Sequence, residues 1–485
     1  MNNDYISAVY TWGQFAPEFS LVALAVIILL ADCFVPQIPK RAYSIVAAVG
    51  AIIAAFFMLT PEYNNSPFGM IACLATALVL LLSFDYHKVS CASIGGEGVS
   101  EGTSELNSLL LIACAGICAL AEARDIIMLF VCLEVVTLAS YVMAGYFRRN
   151  QGSIEAGVKY LVLGALSTGL MVFGAAWYYG TTGSFMLTPE LIHCLLTCPM
   201  VELQTGFYLA VGLLLLGAFF KAGAAPMQIW IPDVYQGSPT PVSAFLAVAS
   251  KAAGFAVLSA ILLPFGCLAS VHPDKVGAIV TAIAVVAAAT LLIGNLGAIC
   301  QSNAKRLLGY SSIGQAGFII VFFTNIGSEY LLNYVTEYLV AYLLATVAAF
   351  FAIAMVRTQR GSEEISAFRG LGKTNPRTAF LITVAFASLA GVPLTYGFLA
   401  KYYSFEVFIE AMQYQSGLIW LLPFMIVGAT VGFYYYFKVL REMYWEKPQE
   451  GDSPLQVPVI TAAVLTGCAI AIIWMGTQPL VIIPS

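Results

Sequence analysis

Apolar runs of about twenty residues recur along the whole chain, and their length limits what it can fold into. A hydrocarbon core roughly 30 Å thick is crossed by about twenty residues of α-helix. Backbone groups inside a bilayer must be satisfied internally, and the alternating pattern of membrane β-strands is absent. The sequence therefore predicts an all-α polytopic membrane protein. Its 60% hydrophobic content, 10% charged content and mean hydropathy of +0.88 agree with that class.

The apolar runs predict about fourteen transmembrane helices. The start MNNDYIS is acidic and polar and leads into a full-length span, so we expect no cleavable signal. The Gly- and Ser-rich stretch at 87–107 is predicted to be a flexible loop. The fourteen spans are placed at 19–36, 43–60, 68–85, 106–122, 125–146, 156–179, 205–230, 240–263, 276–300, 306–326, 330–356, 378–409, 416–440 and 456–480.

The basic residues indicate an orientation, because cytoplasmic loops of membrane proteins are enriched in Lys and Arg. With fourteen spans, only Arg124 and Lys275 fall in loops on one side. We therefore predict that this side is the outside and that both chain termini lie there. The basic loop residues of the opposite side are Lys40, Arg41, Lys88, Arg148, Arg149, Lys305, Arg306, Arg357, Arg360, Arg369, Lys373, Arg377, Lys438, Arg441 and Lys447.

Five ionisable residues inside predicted spans are candidates for function, because each costs roughly 2.5 to 3.5 kcal/mol at bilayer depth on insertion scales. Glu134 lies in the middle of the fifth span, and Lys251 is central in the eighth. Lys221 and Lys401 lie past the middle of the seventh and twelfth spans, towards the inside and the outside respectively. Lys159 lies about one turn into the sixth span.

Structural roles remain open for these charges. Lys159 is near enough to a helix end to extend its ammonium to the interface. Glu134, Lys221 and Lys251 are too deep for that, but they would also be explained by static ion pairs that hold helices together. Lys401 has Glu406 about one turn further along, and these two side chains are a candidate pair near the outer surface.

Two of these lysines lie beside predicted helix breaks. The seventh span contains KAGAAP and the twelfth contains LAGVPLTYG, and a proline frees carbonyls that must find partners at membrane depth. Broken helices in corresponding positions of two halves indicate inverted repeats with an ion site. The sequence thus predicts three N-terminal helices and a loop (1–105), two inverted five-helix repeats (106–263 and 276–440) and a C-terminal helix (456–485), with Lys221 and Lys401 as symmetry mates.

Two segments resemble signature sequences of a known family. PMQIWIPDVYQGSPTPVSAFLAVASK (226–251) and NAKRLLGYSSIGQAGF (303–318) are similar to those of the antiporter-like membrane subunits of respiratory complex I, the proton-pumping NADH:quinone oxidoreductase. The chain is most similar to the N-type subunit, which has fourteen helices. It has Lys401 where the M-type usually has glutamate, and it stops after its fourteenth span where the L-type continues into a lateral helix.

The resemblance implies roles for the five candidates. Glu134, Lys221, Lys251 and Lys401 match the proton-relay residues of the fifth, seventh, eighth and twelfth helices, and Lys159 matches a sixth-helix lysine used beside the first pair. An opposite charge favours the ionised form, so the position of Glu134 relative to Lys221 would decide whether Lys221 keeps its proton. Released protons would pass to Lys251, then to Lys401 and outside. Many relatives have histidine where this chain has Gln315, and glutamine cannot titrate.

The resemblance also implies partners. We expect an M-type subunit, small hydrophobic subunits and lipid around this chain in a bacterial inner membrane. NADH, flavin, iron–sulfur clusters and quinone would be bound by other subunits, and no cofactor or metal by this one. The eleven cysteines form no CxxC pair or iron–sulfur spacing. Cys194 and Cys198 beside His193 permit a metal site or a disulfide, although such spacing is more typical of ordinary cysteines.

Four other functions share these features. A subunit of a multi-chain sodium/proton antiporter has the same spans and lysines but no redox partner. The membrane arm of a hydrogenase-type complex has different soluble partners, and a plastid or cyanobacterial homologue would be fed by ferredoxin. A scaffold with static charge pairs would pump normally after its buried lysines were lost.

Overall fold

The computed structural model describes residues 15–35, 39–60, 66–93, 103–448 and 454–477. The two chain termini are not among these residues, so the prediction that both lie on the outer side of the membrane concerns a part of the chain that is not described. Helices account for nearly all of the described chain, and its only β-type pairings are two isolated bridges. The helices are α1 (Ala16–Phe34), α2 (Lys40–Phe57), α3 (Pro67–Ser93), α4 (Thr103–Ala121), α5 (Ile126–Ala144), α6 (Gln151–Thr182), α7 (Pro189–Thr197), α8 (Val201–Ala222), α9 (Ile231–Gly237), α10 (Thr240–Gly266), α11 (Pro273–Ile299), α12 (Ala304–Phe322), α13 (Leu331–Arg360), α14 (Leu371–Thr374), α15 (Pro376–Ala390), α16 (Tyr396–Tyr414), α17 (Leu422–Tyr444) and α18 (Val459–Thr477).

The predicted spans are matched by helices of this structure. Thirteen described segments are long and apolar enough to cross a membrane. The remaining predicted span, at 378–409, is formed by two shorter helices, α15 and α16, so the all-α class and the break in the twelfth span are confirmed. The seventh span is also broken, because α8 ends at Ala222 and a 3-10 turn and α9 follow it.

The loop prediction at 87–107 is wrong at both of its ends. Helix α3 continues to Ser93 and α4 already begins at Thr103, which leaves only residues 94–102 outside the described chain. Helices α3 and α4 thus extend beyond the apolar runs that predicted them. The hydropathy pattern marks the part of a helix that lies in lipid, and polar turns can continue the helix beyond it.

Burial separates central helices from peripheral ones. In α10 and α13, 89% of the most apolar stretch is buried, and in α12 the share is 94%. The corresponding share is 28% in α1, α6 and α17, whose outer faces expose large apolar side chains such as Val162, Leu166 and Phe433. Apolar side chains on the outside of the bundle suit contact with lipid. The central helices carry Lys251 and Gln315, so these polar groups lie in the protein interior.

The same local features occur twice along the chain. Asp125 and Asn303 are the N-caps of α5 and α12, and each side chain accepts a hydrogen bond from a backbone N–H three residues on. Each cap residue also forms an isolated antiparallel bridge, to Met186 and Glu364 respectively. The helices that follow, α6 and α13, end in left-handed glycines just before those partners. Residues far apart in sequence therefore have equivalent local conformations in the two predicted halves.

Candidate functional site

The first helix break ends α8 directly after Lys221. Gly223 has φ +78°, a conformation in which a Cβ atom is unfavourable, and the chain turns out of the helix there. Polar groups near the break find partners inside the protein. The Ala225 N–H donates to Thr290 Oγ1 at 2.9 Å, and the Trp230 indole N–H donates to the Phe220 carbonyl at 3.1 Å. The break is therefore a satisfied, ordered feature.

Lys221 is buried in an aromatic environment. Only 1% of its surface is exposed, and its ammonium donates to the Tyr160 hydroxyl at 3.3 Å. Tyr160 stacks on Trp230 with 4.3 Å between ring centroids, which holds the tyrosine in place. The Lys221 Nζ lies 5.8 Å from the centre of the Tyr160 ring, a distance at which ring and cation attract each other.

Glu134 lies in the neighbourhood of Lys221 without forming an ion pair with it. The carboxylate accepts a hydrogen bond from Thr168 Oγ1 of α6 at 2.8 Å, and it interacts electrostatically with Lys221 and with Tyr141. Tyr141 packs edge-on against Tyr160, with centroids 4.8 Å apart. The ring of Tyr141, which packs on Tyr160, thus lies between the surroundings of Glu134 and those of Lys221, in an arrangement that sequence reasoning missed.

Lys251 connects the first break with the second half of the chain. It is 2% exposed, and its ammonium donates to the backbone carbonyl of Ser312 in α12. The same nitrogen lies 5.7 Å from the centre of the Tyr342 ring. On the other side it approaches the break in α8, since a Cβ atom placed on Gly223 would lie only 3.6 Å from it.

Gln315 lies one helical turn beyond Ser312 and is bonded at both ends of its amide. Its Nε2 donates to the Leu389 carbonyl at 3.0 Å and to the Tyr436 hydroxyl at 3.1 Å. Its Oε1 accepts from the Tyr338 hydroxyl. These contacts join α12, α13, α15 and α17 in the interior, next to the second helix break.

Lys401 is held by that second break. Its ammonium donates to the Leu389 carbonyl at 2.9 Å and to the Ala390 carbonyl at 2.8 Å, and it is 8% exposed. Both carbonyls belong to the last turn of α15, which has no helical donor for them. The break therefore binds the lysine directly, and Lys401 is oriented towards α15 and not paired with Glu406. The Leu389 oxygen is shared between Gln315 and Lys401.

The two break lysines do not occupy equivalent positions in their helices. Lys221 lies two residues before its left-handed Gly223, whereas Lys401 lies in α16, after the left-handed Gly391. The Lys401 side chain folds back over that glycine, where an added Cβ would come within 2.9 Å of Cδ. What the two lysines share is that each lies beside a broken helix.

Lys159 lies apart from this interior row. Its ammonium is 2.7 Å from Asp233 and 2.6 Å from Glu155, and 41% of the side chain is exposed. Arg306 holds the second oxygen of Asp233 at 2.6 Å. Three members of this ion cluster, Glu155, Asp233 and Arg306, line a cavity of about 350 Å³ at the end of the bundle where α6 begins. Lys159 therefore forms an ion pair with Asp233, in the segment after the first helix break, and not with Glu134.

The histidine and cysteines of the HCLLTC segment form no cluster of metal ligands. His193 Nδ1 lies 3.0 Å from His272 Nε2, while Cys194 and Cys198 are both free thiols. Over the described residues, the one group of three or more close metal-ligating side chains lies elsewhere, at Cys73, Cys114 and Cys118.

Several residues of the site were not predicted from sequence, namely Tyr141, Tyr160, Thr168, Ser312 and Leu389. Tyrosine, serine and threonine are common in membrane helices, so their type carries no signal. Leu389 contributes only its carbonyl. The one available indication was the proximity of LAGVP to a lysine, which predicts freed carbonyls but not their partner.

Residues 123–427 match the protein family described as NADH:quinone oxidoreductase/Mrp antiporter, TM. Among curated proteins, NADH-quinone oxidoreductase subunit N of Brevibacillus brevis is 32% identical, over 97% of this chain and 93% of the relative. The matched region includes all five candidate residues.

Solved structures of multi-subunit complexes share the fold. A chain in a structure of respiratory complex I from Thermus thermophilus with bound aureothin is 29% identical, with a TM-score of 0.74 over 96% of this chain and 97% of that one. A chain of the Mrp complex from Dietzia sp. has a TM-score of 0.76 over 96% of this chain and 95% of that one. Its identity is 18%, so the second likeness concerns the fold alone.

Proposed function

Since the chain belongs to the family of antiporter-like membrane subunits of NADH:quinone oxidoreductases, in its N-type branch, we propose that it moves protons through the buried lysine row during quinone reduction elsewhere in the complex. One observation carries the proposal. Lys221, Lys251 and Lys401 are all buried, and Ser312, Gln315 and the Leu389 carbonyl form a polar connection between the last two. Buried ionisable groups that interrupt apolar helices mark ion pathways in membrane proteins.

Protons enter from the cavity lined by Asp233, whose carboxylate also pairs with Lys159. They reach Lys221, pass to Lys251 across the Gly223 break, and continue along the turn between Ser312 and Gln315 to Lys401. Waters complete the steps between these groups, as they do where polar side chains are too far apart for direct contact. The amide of Gln315 contributes hydrogen bonds to this path and does not itself titrate.

Glu134 controls the first step. When its carboxylate is near Lys221, the charged ammonium is favoured, and when it is held away by Thr168, the lysine releases its proton more readily. The bond from Thr168 represents the separated arrangement. A signal from quinone reduction would change the balance between these two arrangements.

The redox groups belong to other subunits in this proposal. Flavin, iron–sulfur clusters, NADH and quinone act outside this chain, which contacts an M-type subunit, small hydrophobic subunits and lipid. The complex lies in a bacterial inner membrane with both termini of this chain outside, as the basic loops predict.

The two five-helix units (106–263 and 276–440) act as inverted halves around the lysine row. The paired caps and bridges at Asp125 and Asn303 support this division, because they recur at corresponding helix starts. The three helices before residue 106 and the last helix then flank the halves.

The membership of the complex is tested by purifying the tagged chain from its native membranes in mild detergent. We expect flavin and iron–sulfur subunits to co-elute, together with inhibitor-sensitive NADH:quinone activity. In proteoliposomes of that complex, Glu134→Gln and Lys221→Ala are expected to lower the number of protons moved per NADH. Intact pumping in both variants would refute the relay.

The same preparation distinguishes the sodium/proton antiporter. Co-elution with only a few small hydrophobic subunits, without NADH oxidation, would assign the chain to that class. We favour the oxidoreductase because relatives that match nearly the whole chain carry the subunit N name, whereas the Mrp likeness extends to the fold only.

A further inference from the structure

Three buried cysteines meet between α3 and α4, apart from the lysine row. Cys73 lies in α3, and Cys114 and Cys118 lie one turn apart on the same face of α4. The Cys73 sulfur is 3.5 Å from that of Cys118 and 3.7 Å from that of Cys114, and all three lie within 4.8 Å of one another. None of the three side chains is exposed.

The distances between the sulfurs suit a single atom bound by all three. An atom about 2.3 Å from each sulfur, the usual metal–thiolate distance, separates its sulfurs by roughly 3.3 to 4.0 Å for bond angles between about 90° and 120°. Two of the three separations already lie in this range, and the third, between Cys114 and Cys118, is at most 4.8 Å. Other buried cysteines, such as Cys132 and Cys468, have no comparable group of thiols around them in the described chain.

The charge of the site decides which ion fits. If all three thiols bind as thiolates, a monovalent ion leaves a net charge of −2, a divalent ion −1, and a trivalent ion none. A buried net charge is costly, and all three cysteine side chains are fully buried. A neutral complex is therefore preferred over an anionic one.

We propose that Cys73, Cys114 and Cys118 form a binding site for trivalent arsenic. Arsenite reaches the protein as neutral As(OH)₃, and three cysteine thiols displace its three hydroxyls. Three As–S bonds form, three As–O bonds break, and each thiol proton leaves in one of three water molecules. No electron is transferred, and the product is uncharged. Bound arsenic would link α3 to α4 close to the start of one helix and the end of the other.

The assembled complex, reduced and then treated with arsenite, provides the test. We expect the intact mass of this chain to rise by one arsenic minus three hydrogens, and X-ray absorption at the arsenic edge to show three sulfur neighbours. Binding through two thiols would retain a hydroxyl and give a different mass. A mass unchanged by arsenite, or a two-sulfur centre, would overturn the proposal.

Variants locate the site. Cys118→Ser is expected to lower arsenic retention at least tenfold, whereas Cys468→Ser, which changes a lone buried cysteine, should leave it unchanged. NADH:quinone activity of each preparation reports assembly, and the mass measurement on the natural chain stands if a variant does not assemble. Equal retention in both variants would contradict the assignment, as would tighter binding of Cu(I) or Zn(II) than of arsenite, because it would refute the charge argument.

Discussion

Backbone carbonyls hold the ammonium groups of Lys251 and Lys401, and this choice of partner suits a relay. A carboxylate favours the charged lysine and would keep its proton in place. A carbonyl accepts a hydrogen bond from either the ammonium or the neutral amine. Lys401 has two carbonyl partners, so a neutral amine with two N–H groups is still fully bonded there. Both protonation states are therefore accommodated without rearrangement.

This argument predicts that Lys401→Arg stops proton transfer even though it preserves the charge. Guanidinium does not deprotonate in proteins, so it cannot release a proton towards the outside. We expect the flux through this chain to fall at least about 100-fold, the low end of the loss when a proton-transfer group is removed. Proton uptake by proteoliposomes, measured per NADH oxidised, checks this. Lys373→Arg, at an exposed lysine, is the control, and full pumping in Lys401→Arg would favour a static charge.

Gln315 provides a second prediction at this scale. Gln315→Leu removes the bonds to Tyr338, Tyr436 and the Leu389 carbonyl. The Leu389 carbonyl keeps Lys401 and the Tyr436 hydroxyl keeps Ser311, so the buried Tyr338 hydroxyl is the group left unpaired, at a cost of about 1 to 3 kcal/mol. We expect slower pumping and lower thermal stability of the complex. Gln301→Leu, at an amide that bonds only within its own helix end, is the matched change and should affect pumping little.

Gln315→His should keep pumping but add a pH dependence. The imidazole can donate and accept as the amide does, and unlike the amide it can bind and release a proton. We expect the pumping rate to gain a pH dependence that is absent from the natural chain. Identical pH profiles for the two proteins would show that this position is not on the proton path.

At the scale of the elements, the breaks depend on glycines in the left-handed conformation. Gly391 has φ +87°, and an added Cβ would also lie 2.9 Å from Lys401 Cδ. Gly183 has a similar φ of +70° but free space around it. Alanine costs about 1 to 2 kcal/mol in this conformation at either site. Only Gly391→Ala should also reduce pumping, which proteoliposome assays of both variants would reveal. Equal pumping losses in the two would refute a specific role for the second break.

Helix packing at the first break makes a separate prediction. A Cβ on Gly254 of α10 would lie 2.3 Å from the Ala222 nitrogen, so α10 contacts the end of α8 through this glycine. Gly254→Ala should push the helices apart and destabilise the complex by about 1 to 3 kcal/mol, as overpacking does. Gly212→Ala, on α8 with nothing near its Cβ, should be neutral. Thermal unfolding of the assembled complex measures the difference, and equal midpoints would show that the contact is not tight.

Sequence patterns predicted the elements better than their contacts. Hydropathy is local, so it located the spans, and Pro with Gly indicated both breaks. The partner of Lys159 was missed because Asp233 lies 74 residues further along the chain. The thiol cluster was missed for the same reason, since Cys73 and Cys114 are 41 residues apart and neither shows a recognisable spacing. Contacts between helices follow from packing, which a single sequence does not encode locally.

At the scale of the whole molecule, the lysine row joins the two predicted halves of the chain. Lys251 of the first half bonds to α12 of the second, and Asp233 of the first bonds to Arg306 of the second. A displacement between the halves would therefore change the contacts of both the row and its entrance. Such coupling requires a signal that changes the relative free energies of two arrangements of these contacts. We propose that the two arrangements differ in the position of Glu134, which is either near Lys221 or held away from it by Thr168.

At the same scale, we expect proton pumping to be independent of sodium. The described surroundings of the three lysines are aromatic rings, hydroxyls and backbone carbonyls, while Glu134 is held by Thr168. Hard cations such as sodium favour several free oxygen ligands together, as Ca²⁺ and Mg²⁺ do. Here the carbonyls of Ser312, Leu389 and Ala390 already bind the ammonium groups of the lysines. NADH-driven proton uptake by proteoliposomes should be equal in sodium and potassium salts. A several-fold dependence on sodium would point to the antiporter class.

The most direct test is the number of protons moved per NADH oxidised by the reconstituted complex with Lys251→Met in this chain. Methionine keeps much of the volume of the side chain but cannot carry a proton, and Lys373→Met is the control at the surface. Our account predicts that Lys251→Met assembles, oxidises NADH and moves fewer protons per NADH, while the control matches the natural complex. An unchanged ratio in an assembled Lys251→Met complex would contradict the central claim that protons pass through this lysine.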